Sequence, residues 1–309
     1  MPLAFSTLGC PGDSLAQVIA TAHASGATAL ELRAAPGEFI FPGMSPAQCA
    51  EVSRQLSDAG IGVLALASYV KVCALDADDA EAAATSAAPV TVASRESSAH
   101  DPVLAELLAA VELAAALSVG NKTLGLDGAQ VRVFPGAGLD PVAPGEEPSS
   151  ELRAADALGA RRLNAAAERA RELGVTMLLE THDSHPRATD ISRILSQVDA
   201  AAPVKVIWDL MHPWRYDEAP ERTAELLAES LAYAQYKDGM RNPGSNSVTL
   251  TLPGEGELPL PQMRALAAGI SAAHGVADPW ISLEWERAWH PELPPVADAL
   301  GALKASLAL

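Results

Sequence analysis

The 309-residue chain is expected to fold as an α/β protein, a single (β/α)8 TIM barrel domain covering residues 1–309 with long loops after its strands. Three features predict this. First, four apolar, β-branched runs end in charged or amide groups: Val175-Thr-Met-Leu-Leu-Glu180-Thr-His182, Val204-Lys-Val-Ile-Trp-Asp-Leu-Met-His-Pro213, Ala232-Tyr-Ala-Gln235-Tyr-Lys237-Asp238 and Trp280-Ile-Ser-Leu-Glu284. Such runs read as buried parallel strands that deliver polar groups at their C-terminal ends. Second, strand-like and helix-like stretches alternate along the chain, the cadence of right-handed βαβ crossovers. Third, a chain of this length with 49% hydrophobic residues can bury one large core and fits a barrel with insertions better than two domains.

Leu3 to Leu8 is the first expected strand, and Asp13 or Ser14 caps a helix from Leu15 to Ser25 that Gly26 closes. The next strand, Ala27 to Arg33, carries Glu31 and Arg33 on one face, either as a surface ion pair or as contacts for substrate hydroxyls or a substrate anion. Ser45 and Pro46 begin a helix to about Ala59, Gly60 stops it, and Ile61 to Val70 is the third strand. Asp76 to Ser98, rich in Ala, Asp and Ser, reads as a loop, with or without a short helix, that could serve as a lid. Asp101-Pro102 opens a helix to about Leu117, Val131 to Phe134 is the fourth strand with Arg132 on it, and Leu139 to Ser150 is a second long loop.

A helix from Ala154 to Leu173 leads through Gly174 into the Glu180 strand. Helices Thr189 to Gln197 and Thr223 to Leu231 flank the Asp209 strand. Gly239 to Glu257 reads as a loop holding Gly254-Glu-Gly256, which lacks the lysine and spacing of a nucleotide-binding loop. The helix Pro261 to His274, the strand Trp280 to Trp285 and a final helix Pro291 to Leu309 complete eight units.

With 39 acidic against 21 basic residues the formal net charge is -18, which repels a phosphate backbone and anionic lipid alike, so neither nucleic acid nor membrane is an expected partner. The three cysteines, Cys10, Cys49 and Cys73, are widely spaced, suit no disulfide framework and point to a reducing cytoplasm. No export signal or run of transmembrane length is expected. A homo-oligomer is compatible with all of this.

In such a barrel the strand C-termini meet on one face, which would gather Glu180, Asp209, Gln235 and Glu284. Three carboxylates and an amide oxygen make a hard shell suited to Mn2+ or Mg2+. Strand alternation pairs Glu180 with His182, Gln235 with Lys237 and Ser282 with Glu284. Any one of the four could simply be a polar residue where a strand surfaces; four in successive units favour a site. His182 and His185 have ligand-like spacing but no cysteine partner, so His182 is read as a neighbour of the site or a substrate contact and His185 is given no role. By alternation Trp208 and Trp285 face away from the site, towards helices, while Trp214 and Trp289 suit either a pocket wall or a subunit contact.

Several segments resemble the xylose-isomerase-like TIM barrels, the sugar phosphate isomerase and epimerase superfamily that also has an apurinic-site endonuclease branch. They are Leu3-Ala-Phe-Ser-Thr-Leu-Gly-Cys-Pro11, Gly26-Ala-Thr-Ala-Leu-Glu-Leu-Arg33, Leu-Glu-Thr-His182, Asp209-Leu-Met-His212, Tyr236-Lys-Asp238, Gly254-Glu-Gly256 and Ser282-Leu-Glu284, in order along nearly the whole chain. The resemblance implies that Glu180 and Glu284 are an acid/base pair as well as metal ligands, and that Asp209 completes the shell. His212 and Lys237 would hold substrate oxygens, and Arg132 resembles an arginine that many members place on this strand, as a substrate contact or an internal ion pair. In one respect the chain departs from the family: His-x-His-x-Lys-Asp is replaced by Tyr233-Ala-Gln235-Tyr-Lys-Asp, with Gln at the ligand position. The amide is neutral like imidazole and binds a hard cation through its oxygen, but it weakens zinc-like affinity and makes a metal-free site an alternative.

These features imply a divalent-metal-dependent isomerase or epimerase acting on a sugar or sugar-like hydroxy-carbonyl compound through an enediolate. Two alternatives stand beside it: a metal-assisted lyase or dehydratase on the same scaffold, and a non-catalytic binding protein that has lost a functional metal site.

Overall fold

The computed structural model describes residues 2–75, 101–143 and 145–309; the expected loop 76–98 lies outside the described residues. Strands β1 (Leu3–Ser6), β2 (Ala29–Arg33), β3 (Gly62–Lys71), β4 (Ala129–Phe134), β5 (Val175–Glu180), β6 (Val204–Asp209) and β7 (Leu231–Tyr236) are followed by a hairpin, β8 (Asp238–Arg241) with β9 (Val248–Thr251), and then by β10 (Ile281–Leu283). Seven strands and β10 close into a barrel in the order β1-β10-β7-β6-β5-β4-β3-β2, each neighbouring pair parallel. The expected (β/α)8 barrel is therefore the fold.

Two cores hold it. The larger packs the outer strand faces against the helices and contains Trp208 and Trp285, both fully buried, as alternation predicts. The smaller, Ala4, Ala29, Leu64, Leu178, Ile207 and Tyr233 with Leu126 and Trp280, fills the barrel towards the strand N-termini. Two residues beyond that apolar layer on each strand lie Glu31, Glu180, Asp209, Gln235 and Ser282, all buried. The pleat thus converts an apolar floor into a polar layer above it, with a desolvation cost of several kcal/mol per ion that pairing, protonation or a bound cation offsets.

Helix starts follow side-chain caps. Ser14 and Gln17, and Ser45 and Gln48, form reciprocal capping boxes, and Asp101 accepts from Val103 and Leu104 N–H. Several bounds differ from the sequence reading. The helix into β5 begins at Ser150, four residues early, because Ser149 caps it by accepting from Leu152 N–H. The helix expected at Thr223 to Leu231 is Pro220–Leu227, with proline in its first turn, and Leu231 opens β7. The last helix is Val296–Leu307, Pro294 and Pro295 standing before it. Within Gly239 to Glu257, read as loop, the residues to Thr251 form the β8–β9 hairpin, which opens at Asp238. No described helix is long and apolar enough to cross a membrane.

Candidate active site at the barrel mouth

Above the polar layer opens a cavity of ≈ 450 Å³. Its floor and inner wall are Arg132, Glu284, His182 and His212; Tyr69, Phe134 and Trp289 form an aromatic side, and Val248 and Leu250 of the hairpin overhang it. Gln235 is in register with Asp209 on one side and Ser282 on the other, so neighbouring strands present these side chains at one level.

Arg132 joins the two glutamates: its Nη1 lies 3.3 Å from Glu180 Oε2 and donates to Glu284 Oε1 at 3.1 Å, while Nη2 donates to the Ser68 carbonyl at 3.1 Å. Its guanidinium also sits 4.2 Å over the Phe134 ring. Lys237 Nζ is 2.6 Å from Glu284 Oε2, 2.6 Å from Glu286 Oε1 and 2.7 Å from Asp209 Oδ2. Asp209 Oδ1 accepts from Met211 N–H at 2.9 Å, and His212 Nε2 is 3.5 Å from Asp209 Oδ2. Gln235 Nε2 donates to Glu31 Oε2 at 2.8 Å and more weakly to Glu284 Oε1 at 3.4 Å. Ser282 Oγ donates to Glu31 Oε1.

These contacts split the acid strengths. Burial pushes the Glu180 carboxyl well above the usual range; Arg132 opposes this, and Glu284 and Asp209 reinforce it. Burial likewise raises Asp209 to about 7 against the pull of Lys237. For Glu284 burial acts upward too, but Lys237 and Arg132 together outweigh it and hold the carboxyl at about 2. Burial would discharge Lys237, yet Asp209, Glu284 and Glu286 keep it charged well above its ordinary value. Burial, with His182 and Arg215 nearby, drives His212 far down, so its ring is neutral.

The donors fit a divalent cation. Both Glu180 oxygens, Asp209 Oδ2, Gln235 Oε1 and both His212 nitrogens are buried with no hydrogen-bond partner among the described residues, Glu180 Oε2 and Asp209 Oδ2 being engaged through ion pairs. One oxygen each from Glu180, Asp209 and Glu284 lies within 4.8 Å of the others, and so do donor atoms of Glu180, His182 and His212. Buried polar atoms left this way call for a ligand.

Other residues singled out by the sequence fall elsewhere. Glu31 is fully enclosed and, like Glu180, Asp209, Gln235 and Lys237, off the cavity wall; unlike Glu180 and Asp209 it has both oxygens taken up, by Gln235 and Ser282, so it does not face substrate hydroxyls. Nor does it pair with Arg33, which binds Glu38, donates to Tyr69 Oη at 2.8 Å and lies 4.8 Å over the Trp289 ring, bracing the aromatic wall from behind. His182 faces the cavity, with Nδ1 2.9 Å from Asp183 Oδ1, whereas His185 is buried away from it against Asp156 and Ser184. Trp214 stacks under Arg241 at 4.1 Å. Sequence reasoning passed over Glu286, Tyr233 and Phe134, although two-residue alternation from Glu284, Gln235 and Arg132 points to each of them. The overhanging Val248 and Leu250 were lost with the hairpin.

No curated protein sequence matches the chain. Among solved structures, D-psicose 3-epimerase in the presence of D-fructose aligns with a TM-score of 0.66 at 14% identity, over 100% of this chain and 97% of that one. The probable 3-DHS dehydratase AsbF from Bacillus anthracis, involved in petrobactin synthesis, aligns at 0.64 and 14%, over 100% and 99%. The IOLI protein with a bound zinc atom aligns at 0.66 and 16%, over 99% and 96%. At these identities the likeness is one of fold. The sequence pattern of the xylose isomerase-like TIM barrel family runs through residues 19–306, and the chain belongs to that family.

Proposed function

We propose that the chain is a divalent-metal-dependent isomerase or epimerase of a sugar or sugar-like hydroxy-carbonyl compound. One observation carries the reading: two buried glutamates, on β5 and just past β10, are linked by one guanidinium, and without an ion their acidities are displaced in opposite directions. Such divergence marks an acid and a base in one site. Glu180, Asp209, Glu284 and the Gln235 oxygen would hold the ion, with Mn2+ or Mg2+ best matched to these oxygens. A bound dication supplies positive charge beside an enediolate.

The residues do the rest. Glu284, ionised, accepts a proton from the carbon next to the substrate carbonyl, and Glu180 in its acid form returns one to the enediolate. Lys237 and Arg132 restrain Glu284, so a substrate oxygen that takes over one of their hydrogen bonds raises its basicity as it is needed. Arg132 and the neutral His212, on the cavity wall, hold substrate oxygens, Lys237, which lies off that wall, acts by holding Glu284, and the hydrocarbon face of a sugar ring fits the wall of Tyr69, Phe134 and Trp289. A lyase is the second reading, because a protonated Glu180 can equally protonate a leaving hydroxyl.

The experiment is solvent exchange: ketoses, aldoses and inosose-like ketones are incubated with the Mn2+-loaded protein in D2O, and deuterium at the carbon next to the carbonyl is read by NMR. Exchange that needs the metal and drops by about 10²-fold or more in Glu180→Gln and in Glu284→Gln is expected, the size of a general acid or base contribution. Loss of water from the substrate identifies the lyase. Exchange indifferent to both substitutions contradicts the assignment.

A further inference from the structure

Gln235 poses a problem that a histidine or a carboxylate would not. Its amide has two unlike ends, and only the oxygen can bind a cation; the NH2 end repels one. In this barrel the choice is made from below. Glu31 Oε2 accepts from Gln235 Nε2 at 2.8 Å, Glu31 Oε1 accepts from Ser282 Oγ, and Glu284 Oε1 takes a second, longer contact from the same Nε2 at 3.4 Å. Turning the amide over would press its oxygen against the Glu31 carboxylate and aim NH2 where oxygen now stands. With the NH2 committed, Gln235 Oε1 is the end left over, buried and without a donor among the described residues. Glu31 is fully enclosed with both oxygens taken up in this way, so it has none to offer a substrate.

We propose that Glu31 is a positioning residue that locks the Gln235 amide with its oxygen available to the Glu180–Asp209–Glu284 cluster, making Gln235 an oxygen donor for a hard divalent cation. This rests on the metal reading above. It also accounts for how the chain carries glutamine in place of histidine: the polarity of the amide is set by a buried carboxylate, itself anchored by Ser282.

The test is a double-mutant cycle with Mn2+ as the probe, read by calorimetry on the metal-stripped full chain. Glu31→Gln, which can present NH2 to the amide as readily as oxygen, is expected to weaken Mn2+ binding 10- to 100-fold, the usual effect of losing a group that orients a ligand. In the Gln235→Glu background both ends of residue 235 are oxygens, so adding Glu31→Gln should cause no weakening. An equal loss in both backgrounds means that Glu31 acts through charge or packing and overturns the proposal, as does no loss in either.

A second readout needs no metal. The Gln235 side-chain NH2 signal in 15N-labelled protein, assigned by its absence in Gln235→Glu, should be protected from hydrogen exchange and should lose that protection in Glu31→Gln. If that variant does not fold, Ser282→Ala, which frees Glu31 from its anchor, should loosen the same signal. Ion binding with an NH2 signal unmoved by these changes leaves the metal reading standing and overturns the lock. A protected amide in a chain that takes up no Mn2+ shows instead that the metal reading has failed, and the donor role of Gln235 falls with it.

Discussion

Glu31, Glu180, Asp209, Glu284 and Glu286 share one cluster with two permanent cations, Arg132 and Lys237, so the carboxylates outnumber the fixed positive charges. Something must make up the difference, by protonation when no ion is present or by a dication when one is. Removing a cation exposes the imbalance. Arg132→Met leaves Glu180 with no cation against it and Glu284 with Lys237 alone, and urea unfolding of the metal-free protein should show a loss of about 3–5 kcal/mol, the usual result of breaking a buried pair from one side. Protonation gives a second consequence. Asp209 is raised from 3.8 to about 7 in the fold, chiefly by burial, so the folded state holds its proton more tightly than the unfolded chain. The stability this confers is complete below 3.8 and disappears as pH rises through about 7. The Tm of stripped protein should therefore fall between pH 5 and 8, Asp209→Asn should flatten the fall, and saturating Mn2+ should remove it. A Tm that climbs over this range would count against the charge assignment.

At the level of elements, the hairpin β8–β9 and the turn after it depend on one side chain. Asp238 Oδ1 accepts from Gly239 and Leu258 N–H at 2.8 and 3.1 Å, and Oδ2 from Gly254 and Gly256 N–H at 2.8 and 3.1 Å. A Cβ on Gly256 would collide with that carboxylate, and Gly254 has a positive φ of 91°, which is why both positions are glycine. Asp238→Asn keeps the shape but turns one acceptor into a donor, and should cost about 1–3 kcal/mol in denaturant unfolding while loosening the overhang of Val248 and Leu250 on the cavity. The strands that carry the site were legible because an apolar run ending in a carboxylate is a strong local signal. The hairpin was not, since its strands are four residues long and its Asn-Pro-Gly turn was read as part of a loop. Helix starts at Ser150 and Pro220 were missed by three or four residues for a similar reason: the cap and the proline weigh more than the apolar periodicity that follows.

For the molecule as a whole, eight parallel strands of ordinary length bring residues from positions 31 to 284 to within hydrogen-bonding distance. That Glu180, Asp209 and Gln235 share a level, with Glu284 one step beyond Ser282, follows from strand alternation and barrel closure, and both were readable from sequence. What each side chain touches was not: that Glu31 binds Gln235 and Ser282, that Arg33 leaves for Glu38, and that Lys237 bridges three carboxylates depend on strand register, which no local pattern encodes. The net charge of -18 favours approach of a dication to this mouth, an attraction that salt should weaken. The central claim is that the convergent site holds such an ion, and calorimetric titration of Mn2+ into the stripped protein tests it most directly. One ion per chain, with binding abolished in a Glu180→Gln, Glu284→Gln double variant that remains folded, is the predicted result. No uptake by the unaltered protein, or uptake that survives in the double variant, would contradict it.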